Sequence, residues 1–106
     1  MRLDVEKNLI HRIPEREKYN LISQIERAIN SVILNIAEGS YRKTDKDLAH
    51  FLNQSLASLY EFVAALDLLL DSQYIEENEH KSFCDKAEAL ARQISAFTHS
   101  LKDKSH

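Results

Sequence analysis

The stretch that decides the fold runs from Gln24 to Thr44 and reads QIERAINSVILNIAEGSYRKT. It is rich in branched aliphatic residues, but a polar residue recurs at every third or fourth position until the only glycine of the chain, Gly39. Residues at that spacing lie along one side of an α-helix. We call this row the polar seam, and its members are Gln24, Arg27, Ser31, Asn35 and Glu38.

Two interpretations of the polar seam are open. It is either a binding or subunit contact, or one side of a helix that faces water. If it is buried, Arg27 needs an acidic partner, because an unpaired buried charge costs several kcal/mol. The planar guanidinium suits a carboxylate, and the best-placed partner is Glu61 in the next helix, with Ser58 one turn before it.

Working outward from this stretch, the hydrophobic pattern predicts four helices in one domain over residues 1–106. The first spans about Arg2–Arg12, with Pro14 and a charged connection after it. The second spans Tyr19–Ala37, with Gly39 as the left-handed residue that closes it. The third and fourth are predicted over Asp45–Asp71, with Thr44 as N-cap, and over Ile75–Leu101, after a break at Ser72 and Gln73.

The third predicted helix carries two overlapping apolar rows at heptad spacing, which predict packing against helices on two sides. Leu56, Val63 and Leu70 belong to one of these rows. Short connections favour antiparallel neighbours. The pattern therefore predicts an all-α, antiparallel up-down-up-down four-helix bundle. Its apolar surface exceeds what one small bundle buries, so we expect copies of the chain to share it in a homo-oligomer.

Composition excludes several function classes. The chain has 106 residues, one glycine, one proline and one cysteine, and a formal net charge of −3. That charge argues against a protein that mainly coats nucleic acid phosphates. A single cysteine excludes an intramolecular disulfide and a zinc site built on cysteines, and fits a cytoplasmic protein. No segment has the length and apolarity of a signal peptide or a membrane span.

The sequence contains no spacing of residues that predicts a catalytic or a metal-binding site. Glu77 with His80, and Asp47 with His50, have spacings found in di-iron bundles, but in an up-down bundle these pairs lie about 40 Å apart, one helix length. Both pairs also fall in first helical turns, where acids are common. The histidines form no recognisable pair with a nucleophile, and one glycine cannot build a phosphate-binding loop. We therefore expect no enzyme activity, no cofactor and no metal.

A basic cluster follows the glycine and is the candidate nucleic-acid contact. Arg42, Lys43 and Lys46 lie beside Tyr41, which could stack on a base. In the predicted topology Lys102 and Lys104 reach the same end. Acidic residues also lie at this end, so the local positive excess is small, and the alternative is an ordinary solvated connection.

The run from Tyr19 to Glu61 resembles the 23S ribosomal-RNA intervening-sequence protein family. The residues that carry the resemblance are Leu21, Gln24, Arg27, Ala28, Ser31, the run NIAEG at 35–39, Arg42, Ser58 and Glu61, together with Tyr74 and Ile75. The resemblance implies an antiparallel four-helix bundle that assembles as a ring, commonly a homopentamer. Related accessory proteins of diversity-generating retroelements bind nucleic acid and a reverse transcriptase. The family has no assigned catalytic residues.

Residues and resemblance together predict a non-enzymatic, cytoplasmic, homo-oligomeric helical bundle. RNA or DNA, with ribosomal RNA first, is the expected ligand, and a reverse transcriptase is a partner by family analogy. The alternative is an adaptor that binds proteins and has no affinity for nucleic acid.

Overall fold

The computed structural model describes the backbone of residues 15–104 and the side chains of residues 19–101. Within that range the regular structure is entirely α-helical, which confirms the all-α prediction there. The helices are α1 (Glu15–Ser40), α2 (Asp45–Asp71) and α3 (Glu77–Lys104). They correspond to the second, third and fourth predicted helices. The predicted first helix, Arg2–Arg12, lies outside the described residues.

Helix α1 starts earlier than its apolar pattern indicates. It begins at Glu15, whereas the prediction placed residues 15–18 in a charged connection and began the helix at Tyr19. Glu, Arg and Lys all have high helix propensity, so these four residues extend the helix without contributing to its apolar row.

The predicted role of Gly39 was wrong. Helix α1 continues through it to Ser40, and no described glycine has a positive φ. A Cβ atom at Gly39 would lie 3.0 Å from Leu48 Cδ1 and 3.0 Å from Phe51 Cβ. This residue therefore lacks a side chain so that the end of α1 can approach the start of α2. The turn that follows is closed by the Arg42 amide, which donates to Gly39 O at 3.0 Å.

The start and end of α2 confirm the prediction. Thr44 has extended backbone angles (φ −114°, ψ 149°), and its Oγ1 accepts a hydrogen bond from the Asp47 amide at 3.1 Å. This contact satisfies one of the amide groups that a helix start leaves without a partner. Asp45 and Asp47 place negative charge in the first turn, where the helix dipole favours it.

Within residues 15–104, a left-handed residue lies in the turn between α2 and α3. Gln73 has φ 63°. Its amide donates to Leu70 O at 2.9 Å, and the Tyr74 amide donates to Leu69 O at 2.9 Å. These two bonds form a Schellman motif, in which glycine is the usual left-handed residue. The turn uses residues through Glu76, so α3 begins at Glu77, two residues after the predicted start.

The three helices are antiparallel neighbours, with α2 in contact with both α1 and α3. Gly39 at the end of α1 lies near Leu48 at the start of α2, and Ser31, further back in α1, lies near Ser58, further along α2. The two helices therefore run in opposite directions. Asp67 on α2 meets His80 at the start of α3. The connection between α1 and α2 therefore lies at the same end as the carboxyl terminus of α3.

The core is built around α2. Its most deeply buried large side chains are Leu59, Phe62, Leu66 and Leu69, and Ile25 joins them from α1. Leu56, Val63 and Leu70 are partly buried against this core rather than enclosed by it. On α1, Leu34 is 65% exposed and Ile33 is 56% exposed. These exposed aliphatic residues, which we call the apolar strip of α1, remain open to solvent in the single chain.

Candidate subunit and nucleic-acid interface

The middle of the polar seam forms a hydrogen-bonded cluster between α1 and α2. The hydroxyl oxygens of Ser31 and Ser58 lie 2.7 Å apart. Asn35 Nδ2 donates to the carbonyl oxygen of Ser31 at 2.8 Å and to its hydroxyl at 3.1 Å. The structure therefore brings Ser31, Asn35 and Ser58 together across the two helices. We call these three residues the serine–asparagine cluster.

Ser55 extends this polar contact and was not among the predicted site residues. Its side chain is fully buried, and its Oγ donates to the carbonyl oxygen of Val32 at 2.8 Å. Ser55 and Ser58 lie three residues apart on α2, and this spacing is the signal that could have identified them as a pair. Small hydroxyl side chains let two helices approach closely while they still satisfy buried polar atoms.

The ends of the polar seam do not join the cluster. Gln24, Arg27 and Glu61 are exposed, and in the described part of the chain no ion pair joins Arg27 to Glu61. The pair was expected only for a buried arginine, and Arg27 faces solvent in the single chain. An open groove of about 570 Å³ runs along this side of α1, between Arg27, Ser31, Leu34 and Asn35. The seam is thus partly buried in its middle and exposed at its first turns.

The last residue of the seam belongs to the basic cluster instead. Glu38 forms an ion pair with Arg42, four residues later. The Arg42 guanidinium also lies over the Phe51 ring, 4.7 Å from its centroid, in a cation–π contact. Both contacts hold Arg42 against the protein, so it is less available to an external phosphate than the sequence suggests.

The remaining described residues of the basic cluster face solvent. Tyr41 is 85% exposed, and Lys43 and Lys46 are also exposed. In the described part of the chain, neither lysine forms an ion pair. Lys102 and Lys104 belong to the last turn of α3, which ends at the same end of the molecule, but their side chains lie outside the described residues. A flat aromatic ring and two ammonium groups are thus presented together at the α1–α2 connection.

Among the described residues, no helix combines the length and apolarity needed to cross a membrane. The apolar strip on α1 is interrupted by the polar seam and by Glu26 and Asn30. Helix α1 therefore alternates apolar and polar residues on its exposed surface, a pattern typical of a helix that packs against other protein surfaces.

The fold and the site together define a class of helical-bundle protein. In this class an apolar α2 lies at the centre, a polar contact joins α1 to α2, and the turn at one end carries positive charge. The chain belongs to the 23S rRNA-intervening sequence protein family, whose pattern matches residues 1–96. This match confirms the resemblance carried by the run from Tyr19 to Glu61. A comparison with curated proteins finds no match.

Proposed function

We propose that this protein is a non-enzymatic, cytoplasmic assembly protein that forms a ring of identical helical bundles and binds RNA through the α1–α2 connection. The observation that supports self-assembly is the exposed apolar strip of α1. Leu34 lines the open groove beside Arg27 and Ser31, and Ile33, the preceding residue, is exposed on another side of α1. Exposed apolar side chains bordered by polar groups are a common feature of protein interfaces.

A second copy of the chain is the occupant that best fits this strip. The strip carries few charges, and the neighbouring seam offers amide, guanidinium and carboxylate groups that can pair with the same groups on another copy. In this arrangement Arg27 and Glu61 meet across subunits rather than within one. We take the ring to be a homopentamer, as the family resemblance implies. We also place a fourth helix at Arg2–Arg12, where Val5 and Leu9 lie on one side of the predicted helix.

RNA is the ligand that the exposed groups of the connection favour. Lys43 and Lys46 suit phosphate oxygens, and Tyr41 offers a stacking surface for an unpaired base. The cationic patch of one chain is small, but a ring repeats it around the axis, and several weak contacts add in one complex. The name of the family points to ribosomal RNA as the first RNA to test.

The salt dependence of RNA binding tests this proposal. We expect wild-type protein to bind a fluorescently labelled ribosomal RNA stem-loop with an affinity that falls as salt rises, because phosphate contacts release counterions. The double variant Lys43→Gln, Lys46→Gln should reduce the slope of log K against log salt by about 2 per bound subunit, about 1 for each lost contact.

The matched control is Lys81→Gln with Lys86→Gln on α3. It removes the same charge at the other end of the bundle and should leave the slope unchanged. A wild-type slope near zero would exclude phosphate contact and favour the protein-binding adaptor. An equal effect of both double variants would mean that net charge, rather than the connection, controls binding.

A further inference from the structure

Three side chains with metal-binding atoms meet at the end of the bundle opposite the basic cluster. Asp67 comes from α2, and His80 and Cys84 lie one turn apart near the start of α3. His80 Nε2 lies 2.7 Å from Asp67 Oδ1 and 3.4 Å from Cys84 Sγ. One ligand atom from each residue falls within 4.8 Å of the others. We call these three residues the aspartate–histidine–cysteine cluster.

The geometry does not suit a nucleophilic triad. In such a triad the imidazole uses one nitrogen for the nucleophile and the other for the carboxylate. Here Asp67 Oδ1 and Cys84 Sγ both approach Nε2, and the sulfur lies farther, at 3.8 Å, from Nδ1. The thiol is also not activated, because burial and the nearby charges of Asp67 and Asp85 raise the pKa of Cys84. A hydrolytic role is therefore disfavoured.

A carboxylate oxygen, an imidazole nitrogen and a sulfur that lie within 4.8 Å of one another are close enough to bind one metal ion after small side-chain shifts. We infer that Asp67, His80 and Cys84 form a zinc-binding site. Thiolate, imidazole and carboxylate are the ligand types that Zn²⁺ binds in proteins. Tetrahedral zinc at its usual bond lengths separates such ligands by about 3.3 to 3.6 Å. The sulfur–nitrogen distance already has this value, and the Asp67–His80 distance needs to open by about 0.6 Å from its hydrogen-bonded length.

The surroundings of the cluster also favour a cation. Glu77 and Glu79 lie in the first turn of α3 and make this end of the molecule acidic. Lys81, the cation next to His80 in sequence, is bonded to Asp85, with Nζ 2.9 Å from Oδ2. This hydrogen bond and the Asp85 charge raise the pKa of Lys81. The ammonium group is therefore directed at Asp85 and not at the ligand atoms.

Three protein ligands leave the fourth position of zinc to water. Sites of this composition keep an open position, whereas structural zinc sites are usually closed by four protein ligands. Cys84 also lines an apolar groove of about 690 Å³ between α2 and α3, together with Leu59, Val63 and Ala91. When zinc binds, the Cys84 thiol releases its proton to solvent and the thiolate bonds the metal. The ion joins α2 to α3 next to their connecting turn.

Cobalt(II) substitution tests the site in the full-length chain. After treatment with a chelator and its removal, we expect one Co²⁺ per chain to give thiolate-to-cobalt absorption in the near ultraviolet and visible bands typical of tetrahedral cobalt. Zn²⁺ should displace cobalt and bleach these bands. Zinc should also raise the midpoint of thermal unfolding, because it binds the folded chain preferentially.

Ligand variants distinguish the site from adventitious metal binding. Cys84→Ser should abolish the charge-transfer absorption, and Asp67→Asn and His80→Gln should each weaken zinc binding by at least about tenfold. The matched control is His50→Gln, which removes an exposed histidine from α2 and should bind zinc as wild type does. The Asp67 side chain is 59% exposed, so its variant tests the ligand set without a risk to folding. Absence of the charge-transfer band in wild type, or equal zinc affinity of wild type and Asp67→Asn, would overturn the assignment.

Discussion

Two single residues determine how the helices meet, and neither follows the usual rule for its residue type. Gly39 lies in the last turn of α1 and lacks the positive φ that a glycine closing a helix adopts. Its position is explained by Leu48 and Phe51, each of which would lie only 3.0 Å from a Cβ atom at this residue. Gln73 has the left-handed conformation that glycine usually adopts.

Gln73 provides a direct test of the cost of a left-handed non-glycine residue. That conformation costs an L-residue about 1–2 kcal/mol, while glycine adds some entropy to the unfolded chain. We expect Gln73→Gly to stabilise the protein by about 1 kcal/mol in urea unfolding at a fixed protein concentration. Gln73→Ala is the control, since alanine retains the Cβ and should give no gain. Equal stability of the glycine and alanine variants would show that the turn stores no such strain.

At the level of elements, the serine–asparagine cluster couples α1 to α2. The Ser31 and Ser58 hydroxyls bond each other in a partly buried contact, so removal of either one leaves its partner without that bond. A double-mutant cycle with Ser31→Ala and Ser58→Ala should give a coupling free energy of about 1 kcal/mol. A cycle of Ser58→Ala with Ser100→Ala should give almost none, because the Ser100 hydroxyl bonds Phe97 O within α3. Additive effects at Ser31 and Ser58 would contradict the proposed coupling.

Helix order and the boundaries of α2 could be predicted from the sequence because they depend on local patterns. Thr44 and the two aspartates after it mark a helix start by their types and spacing alone. The end of α1 could not be predicted, because the choice between a left-handed Gly39 and a helical one depends on Leu48 and Phe51 of the next helix. The local preference of glycine for the left-handed residue after a helix favours a cap at Gly39, but packing of α1 against α2 overrides this preference.

The same distinction applies to the candidate sites. The polar seam was visible as a periodic row on one helix, and Ser58 was identified one turn before Glu61, the expected acidic partner of Arg27. The aspartate–histidine–cysteine cluster could not be predicted from the Glu-x-x-His and Asp-x-x-His spacings of di-iron bundles, because its residues do not follow them. His80 and Cys84 are four residues apart, which places them on one side of a helix. Asp67, which interrupts the apolar run of α2, meets them only after the chain turns at Gln73.

At the level of the whole molecule, the two proposed activities lie at different places and can be tested separately. The α1–α2 connection carries the exposed lysines, and the aspartate–histidine–cysteine cluster lies at the opposite end of α2. The apolar strip of α1 lies between these ends. A subunit contact along α1 would therefore leave both ends accessible, and a ring would place all basic connections on one side.

Self-assembly through α1 predicts a specific response to charge on the strip. Wild-type protein should have the mass of a homopentamer in light scattering, and Leu34→Glu should reduce it to smaller species, because a carboxylate desolvated in an apolar contact is strongly unfavourable. Its helix content by circular dichroism should not change, because Leu34 is 65% exposed in the single chain. The control is Tyr60→Glu, at a site 59% exposed that lines the groove between α2 and α3. Wild-type protein that stays monomeric at all concentrations, or a Leu34→Glu variant with unchanged mass, would refute assembly through this surface.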